Sequence, residues 1–125
     1  MIPKFRAWDK ELQTMLDVSL IDFKKRVLVG EHWKFGETNF MSFDEIELMQ
    51  STRLKDKSGK EIFDGDILGT KDGLLNGIIE YREDLGMFVN SLIRYNNFER
   101  LCNVASDREI IGNVYENPEI LEEKE

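Results

Sequence analysis

Turn-forming residues recur at intervals of about ten residues in the second half of the chain, and this spacing most constrains the fold. Gly, Asp and Asn near positions 65, 72, 76 and 86 separate short segments rich in Ile, Val, Phe and Tyr. Branched and aromatic side chains favour strands because they fit a pleated, half-buried surface. The pattern therefore predicts a small barrel or sandwich of short β-strands.

The first fifty residues are predicted to contain β-hairpins. Residues 2–9 alternate as a strand that places Phe5 and Ala7 on one face, and a turn at 9–11 leads into a second strand over 13–18.

A further hairpin is expected over 21–29, whereas residues 30–39 show little periodicity. Residues 41–50 fit either a helix or a strand, and we expect a short helical turn at 43–45 that leads into a strand over 46–50. Ser42 and Glu45 have the spacing of a capping box for that turn.

The second half is predicted to begin with a turn and to end with a helix. Asp56 can accept a hydrogen bond from the backbone two residues on, and Gly59 can adopt a positive φ without steric cost. Residues 110–115 are the expected last strand, with a bulge or a close approach at Gly112. Asn117 followed by Pro118 predicts the start of a short helix, with fraying at Lys124 and Glu125.

The chain is therefore predicted to be mainly β, with an N-terminal β-hairpin region over 1–51 and a second region over 52–125. The second region is expected to be a small SH3-like barrel over 52–115 followed by the short helix. A length of 125 residues suits one domain, or a small domain with an extension.

Composition narrows the classes of function. The net charge of −8 disfavours nucleic-acid binding, which gains affinity from neutralising phosphates, although it leaves that class open. Cys102 is the only cysteine, so no internal disulfide and no multi-cysteine metal site is expected. No apolar run is long enough to span a bilayer, and the N-terminus lacks a signal sequence, which predicts a cytoplasmic protein without a membrane partner. No cofactor is expected.

The basic residues Arg53, Lys55 and Lys57 precede a turn that also carries Lys60. Strand alternation would place the first three on one face. They are interpreted mainly as a solvated edge that discourages strand pairing, and otherwise as a contact for an acidic protein or for nucleic acid.

Asp64 and Asp66 flank Gly65, and two carboxylates can bind a divalent cation or share acid and base roles. An Asp beside a Gly at a strand entrance more often accepts backbone N–H groups, and that structural role is the expected one here.

The segment 31–35 contains His32, Trp33 and Phe35. Trp33 and Phe35 are interpreted either as packing residues or as a subunit contact, because aromatic side chains are favoured in interface cores. His32 has no evident metal-binding partner in the sequence. No nucleophile elbow, phosphate-binding glycine loop or HExxH motif is present.

Three blocks occur in an order that resembles the YopX family of phage and prophage proteins. They are KFRAWD at 4–9, LMQ at 48–50 followed by LKDKSGKEIFDGDI at 54–67, and IIGNVYENP at 110–118. The resemblance implies an accessory protein, largely β in its central and C-terminal parts, without an established enzymatic activity. The family tends to have glycine where this chain has Arg53, which predicts an ordinary backbone and a solvent-facing side chain at this position.

These observations lead to three hypotheses for function. The first is a non-enzymatic phage or prophage accessory protein in the bacterial cytoplasm, which forms homo-oligomers and binds a phage or host protein. The second is a small barrel that binds nucleic acid through Arg53, Lys55 and Lys57. The third is an enzyme that uses Asp64 and Asp66.

Overall fold

The structure is a computed structural model that describes residues 4–122, and antiparallel β-strands make up most of it. The mainly β fold predicted from the sequence is therefore confirmed. The chain divides into two compact units, Met1–Ser51 and Thr52–Glu125.

The first unit is a sheet of antiparallel strands. The strands are β1 (Phe5–Asp9), β2 (Thr14–Asp22), β3 (Val27–His32), β4 (Thr38–Ser42) and β5 (Ile46–Lys55). They pair in the order β4-β3-β2-β1-β5, so that β4 is an edge strand. β5 continues beyond Ser51 into the second unit.

One face of this sheet carries the core of the first unit. Ala7 lies opposite Leu16, and Leu28 lies opposite both Ile21 and Met41. Residues in register on neighbouring strands share a face, so these side chains pack together and are largely shielded from solvent.

Both predicted hairpins are present, but they share one strand. Residues 13–18 and the start of the segment 21–29 belong to the single strand β2, which is interrupted by a bulge between Val18 and Leu20. The extra residue reverses the alternation. Val18 and Ile21 consequently pack against the core, whereas Leu20 points to the opposite face.

The segment 30–39 is more regular than its sequence indicates. β3 extends to His32, β4 begins at Thr38, and a short turn connects them. The turn is closed by the Gly36 amide, which donates to the His32 carbonyl at 2.8 Å. Gly36 has a φ of +67°, a conformation that glycine adopts at little cost.

The capping box after β4 is confirmed. Phe43–Glu45 forms a 3₁₀ turn, in which the Asp44 amide donates to Ser42 Oγ at 3.2 Å. The Ser42 amide donates in return to Glu45 Oε2 at 3.1 Å. The turn leads directly into β5, as the sequence predicts.

The second unit contains six further strands. They are β6 (Glu61–Phe63), β7 (Asp66–Gly69), β8 (Gly77–Arg82), β9 (Met87–Leu92), β10 (Phe98–Arg100) and β11 (Glu109–Asn113). Five of them form a sheet in the order β10-β9-β8-β7-β11, and β6 pairs with β5. The sequence did not predict the short helix α1 (Leu101–Val104), which contributes the buried Leu101 to the core.

The five-stranded sheet of the second unit is open. β10 and β11 are its two edges, and within residues 4–122 they do not pair with each other to close a barrel. The expected last strand is present as β11 and pairs with β7, with a bulge between Ile110 and Gly112. A Cβ atom on Gly112 would lie 2.4 Å from Asn117 Oδ1, which explains why glycine is needed there.

The predicted C-terminal helix is a 3₁₀ segment, Pro118–Glu122. Asn117 precedes it, but its Oδ1 accepts the upstream amide of Asn113 at 3.2 Å, which is not the bond of an α-helical N-cap. The predicted fraying at Lys124 and Glu125 falls outside the described residues.

Candidate functional site

An exposed row of apolar side chains crosses three strands of the first unit. Leu20 on β2, Val29 on β3 and Phe40 on β4 are in register, so they lie side by side on the face opposite the core. Leu20 is 64% exposed and Phe40 is 72% exposed. We refer to Leu20, Val29 and Phe40 as the apolar row.

The turn between β3 and β4 presents two half-exposed aromatic side chains. Trp33 is 50% exposed and Phe35 is 48% exposed. The Arg6 guanidinium lies 5.7 Å from the centre of the Trp33 ring, and the Phe35 ring meets the His32 ring edge-on at 6.0 Å. The Lys34 ammonium also lies 5.7 Å from the centre of the Phe35 ring, and about half of each aromatic side chain remains open to a partner.

Beneath this turn, a buried chain of hydrogen bonds connects three strands. His32 Nε2, at the end of β3, lies 2.9 Å from Asp9 Oδ2 at the end of β1. His32 Nδ1 lies 2.9 Å from Asn39 Nδ2 on β4. With the Asn39 amide donating to Nδ1, the ring donates from Nε2 to the carboxylate.

The environment of Asp9 favours its ionised form. Burial raises the pKa of this carboxyl, but hydrogen bonds from His32 and from the Leu12 and Glu11 amides lower it more, so its pKa lies below the usual value. The residue also closes the predicted turn, because its Oδ1 accepts both amides at 3.0 Å. Both Asp9 and His32 are about 2% exposed, which suits a clamp and leaves no room for a substrate.

The chain from Lys4 to Glu122 matches the model of the YopX protein family. The chain belongs to the YopX family. It is similar to protein EF1440 from Enterococcus faecalis, with 30% sequence identity, a TM-score of 0.66, and coverage of 97% of this chain and 99% of that chain.

The crystal structure of protein YopX from Bacillus subtilis has a similar fold. Its TM-score is 0.55 at 20% identity, over 94% of this chain and 96% of that chain. No curated protein matches this chain.

Arg53 does not have the ordinary backbone that the sequence predicts for it. Its φ is +63°, in the left-handed region that favours glycine, so the prediction made from the sequence is wrong. The side chain is exposed as expected, and its Nη1 lies 3.7 Å from Glu61 Oε2. Arg53 therefore strains the backbone at this position.

This strain gives a testable prediction. Arg53→Gly is expected to be about 1 kcal/mol more stable than Arg53→Ala, because both variants remove the guanidinium and only glycine relaxes at a positive φ. Urea unfolding of the two variants measures the difference. Equal midpoints and equal slopes for the two variants would contradict a strained backbone at residue 53.

The basic residues near Arg53 do not form one regular face. β5 ends at Lys55, and Lys57 lies in the following turn, so the predicted alternation does not extend across all three residues. Lys55 and Lys57 are exposed, and the Lys57 amide donates to the Arg108 carbonyl at 2.8 Å.

The same turn is organised around a buried carboxylate. Asp56 Oδ1 accepts the Ser58 and Lys60 amides at 2.9 Å, and Oδ2 accepts the Ile110 amide of β11 at 2.9 Å. Burial raises the pKa of Asp56, but these bonds lower it more, so its pKa lies below the usual value. The predicted turn chemistry of Asp56 is confirmed, and Gly59 has the expected positive φ of +88°.

Of the two carboxylates that flank Gly65, Asp66 has a structural role. Asp66 is buried, and its Oδ2 accepts the Phe63 amide at 2.8 Å across the turn at Gly65. This is the structural role expected of an Asp at a strand entrance. Within residues 4–122, no group of three or more His, Cys, Asp or Glu side chains is placed to hold a metal ion.

Across the described part of the chain, no helix is both long enough and apolar enough to cross a membrane.

Sequence reasoning named Trp33 and Phe35 but missed the rest of this surface. Asp9, His32 and Asn39 are far apart in sequence, and only the strand register brings them together. The apolar row depends on the bulge before Leu20, which regular alternation would have placed on the core face.

Proposed function

We propose that this YopX-family protein is a phage or prophage accessory protein that works by binding other proteins, including copies of itself, without catalysis. The observation that carries the proposal is the grouping of exposed apolar side chains on the first unit, at the apolar row and, separately, at Trp33 and Phe35 in the turn between β3 and β4. Scattered single apolar residues are normal on protein surfaces, whereas grouped ones mark interaction sites.

The aromatic turn is suited to be an anchor. Trp33 and Phe35 can each bury a large ring at little entropic cost, since the contacts with Arg6 and His32 already limit their motion. The Asp9–His32–Asn39 clamp fixes the backbone from which both rings project. A rigid aromatic pair on a fixed turn is a common form of interface hot spot.

The second unit is proposed to be a separate domain over 52–125, related to SH3-like barrels. Its support is the sheet order, in which the last strand β11 returns to pair with the first strand of that sheet, β7. Arg53, Lys55 and Lys57 offer positive charge for an acidic protein partner on an otherwise acidic chain. The proposed location is the cytoplasm of the bacterial host.

Affinity capture from host cells in which the prophage has been induced, with and without nuclease treatment of the cell extract, tests this proposal. The wild type is expected to retain specific proteins that Trp33→Ala/Phe35→Ala loses at least tenfold. Leu74→Ala/Leu85→Ala, which removes exposed side chains from the second unit, is the matched control and should retain them.

Two outcomes of the capture experiment would overturn the proposal. One is equal recovery of the same proteins by all three forms. The other is retention that disappears on nuclease treatment of the cell extract, which would favour the nucleic-acid hypothesis instead.

A further inference from the structure

Among residues 4–122, strand β4 leaves part of its backbone without a partner strand. Antiparallel ladders alternate between hydrogen-bonded and non-hydrogen-bonded pairs. The His32 amide donates to the Glu37 carbonyl, and the Phe43 amide donates to the Arg26 carbonyl. Hydrogen-bonded pairs recur at every second residue, and both of these pairs give the same set. The amides and carbonyls of residues 39 and 41 therefore bond to β3.

The backbone groups of Thr38 and Phe40 therefore point away from β3, to the free edge. Ser42 faces the same way, but its amide already donates to Glu45 Oε2. Natural edge strands are commonly protected by lysine, proline or a bulge. β4 has the sequence TNFMS, which contains neither residue and no charge, and its register with β3 is regular.

We propose that β4 pairs antiparallel with β4 of a second copy of this chain, about a twofold axis at Phe40. This inference rests on the proposed function and names the surface through which the protein binds itself. Phe40 would exchange backbone hydrogen bonds with Phe40 of the second copy, and the Thr38 amide would meet the second copy's Ser42 carbonyl. The Ser42 amide would be the donor to the second copy's Thr38 carbonyl, but it is occupied by Glu45 Oε2, so the pairing uses the two Phe40–Phe40 bonds and the two Thr38-to-Ser42 bonds.

Side chains also fit this register. The apolar row of one copy continues into that of the other, because Phe40 ends the row at the edge and meets its own equivalent there. The pairing covers the two Phe40 rings, which are the most exposed large apolar side chains of the described residues. No like charges lie opposite each other within the paired strands, since the strand is uncharged.

Charges at the ends of the strand support a second copy as the partner. In this register, Glu37 comes opposite Phe43 of the second copy. The Arg26 guanidinium lies 5.3 Å from the centre of the Phe43 ring. Each end of the paired strands therefore brings the Glu37 carboxylate of one copy towards the Arg26 guanidinium of the other. Asp44 and Glu45 follow Phe43, and the Glu45 carboxylate accepts the Ser42 amide, so this end of the strand carries charges of both signs.

Substitution at Phe40 tests the pairing through the mass of the purified full chain. Phe40→Lys places two like charges at the twofold axis, and we expect it to weaken dimerisation at least tenfold by sedimentation equilibrium. Leu12→Lys, an exposed apolar position in the β1–β2 turn, is the matched control and should dimerise as the wild type does. Circular dichroism confirms that both variants are folded.

Cross-linking tests the register. In a Cys102→Ser background, Phe40→Cys is expected to form a disulfide dimer under mild oxidation, because residues opposite each other across an antiparallel pair meet the distance that a disulfide requires. Residue 20 lies two strands away from the axis, so Leu20→Cys should migrate as a monomer on gel electrophoresis without reducing agent.

Each alternative result has a separate meaning. Equal dimerisation of the wild type and of Phe40→Lys would overturn the β4 pairing and would leave self-association through another surface. A wild type that is a monomer at all concentrations would overturn the pairing as well, while the capture experiment would still decide whether other proteins bind.

Discussion

Asp56→Ala is expected to lower the free energy of unfolding by about 3 kcal/mol. The buried carboxylate accepts amides from both sides of the basic turn and from Ile110 of β11. Alanine would leave those amides without their acceptor. Urea unfolding monitored by circular dichroism measures the change.

The effect of Asp56 should also depend on pH. The pKa of the Asp56 carboxyl is lower in the folded state than its usual value. Its contribution to the free energy of unfolding is therefore complete above the usual carboxyl pKa and is lost as the pH falls through the folded-state pKa. The stability gap between the wild type and Asp56→Asn should therefore narrow in acid.

Ser58→Ala is the control for Asp56, because it removes one hydroxyl from the same turn and keeps the backbone bonds. It should cost less than about 1 kcal/mol. If Asp56→Ala lowers the free energy of unfolding no more than Ser58→Ala does, the carboxylate does not organise the turn.

His32→Ala is expected to destabilise the protein by about 3 kcal/mol, because it removes the centre of the buried chain between Asp9 and Asn39. The Asp9 carboxylate would keep its two backbone amides but lose its partner on β3. The Asn39 amide would lose its acceptor, which loosens the attachment of β4. Amide hydrogen exchange at Asn39 and Met41 should accelerate more than exchange in β1.

Glu31→Ala is the matched control for His32, since the two residues are neighbours on β3 and Glu31 is exposed. It should change stability by less than about 0.5 kcal/mol. A similarly small effect for His32→Ala, with unchanged exchange in β4, would mean that the clamp does not hold the edge strand.

Local chemistry explains the parts of the fold that could be predicted from the sequence. The capping box of Ser42 and Glu45, the turn around Asp56 and Gly59, and the bulge at Gly112 each depend on residues close together in the chain. Their hydrogen bonds are specified within a few positions. They therefore form as the sequence predicts.

The incorrect predictions concern features decided by distant contacts. The end of β3 and the start of β4 lack a strong pattern, yet pairing with neighbouring strands makes them regular. The left-handed backbone at Arg53 is imposed by the surrounding fold against the preference of the residue that occupies it. α1 contains only four residues, too few for helical periodicity to show.

The candidate site was only partly predictable for the same reason. The exposed aromatic residues Trp33 and Phe35 are visible in the sequence as an irregular aromatic segment. The position of Leu20 beside Phe40 requires both the bulge in β2 and the register of β3. No local pattern carries that information, because a shift of one residue moves a side chain to the other face.

Sedimentation equilibrium of the purified wild-type chain, from about one to several hundred micromolar, tests the central claim most directly. If the exposed surface of the first unit binds a second copy, the average mass should approach twice the 14.7 kDa of one chain and fall on dilution. A mass of 14.7 kDa at every concentration would contradict self-association through this surface.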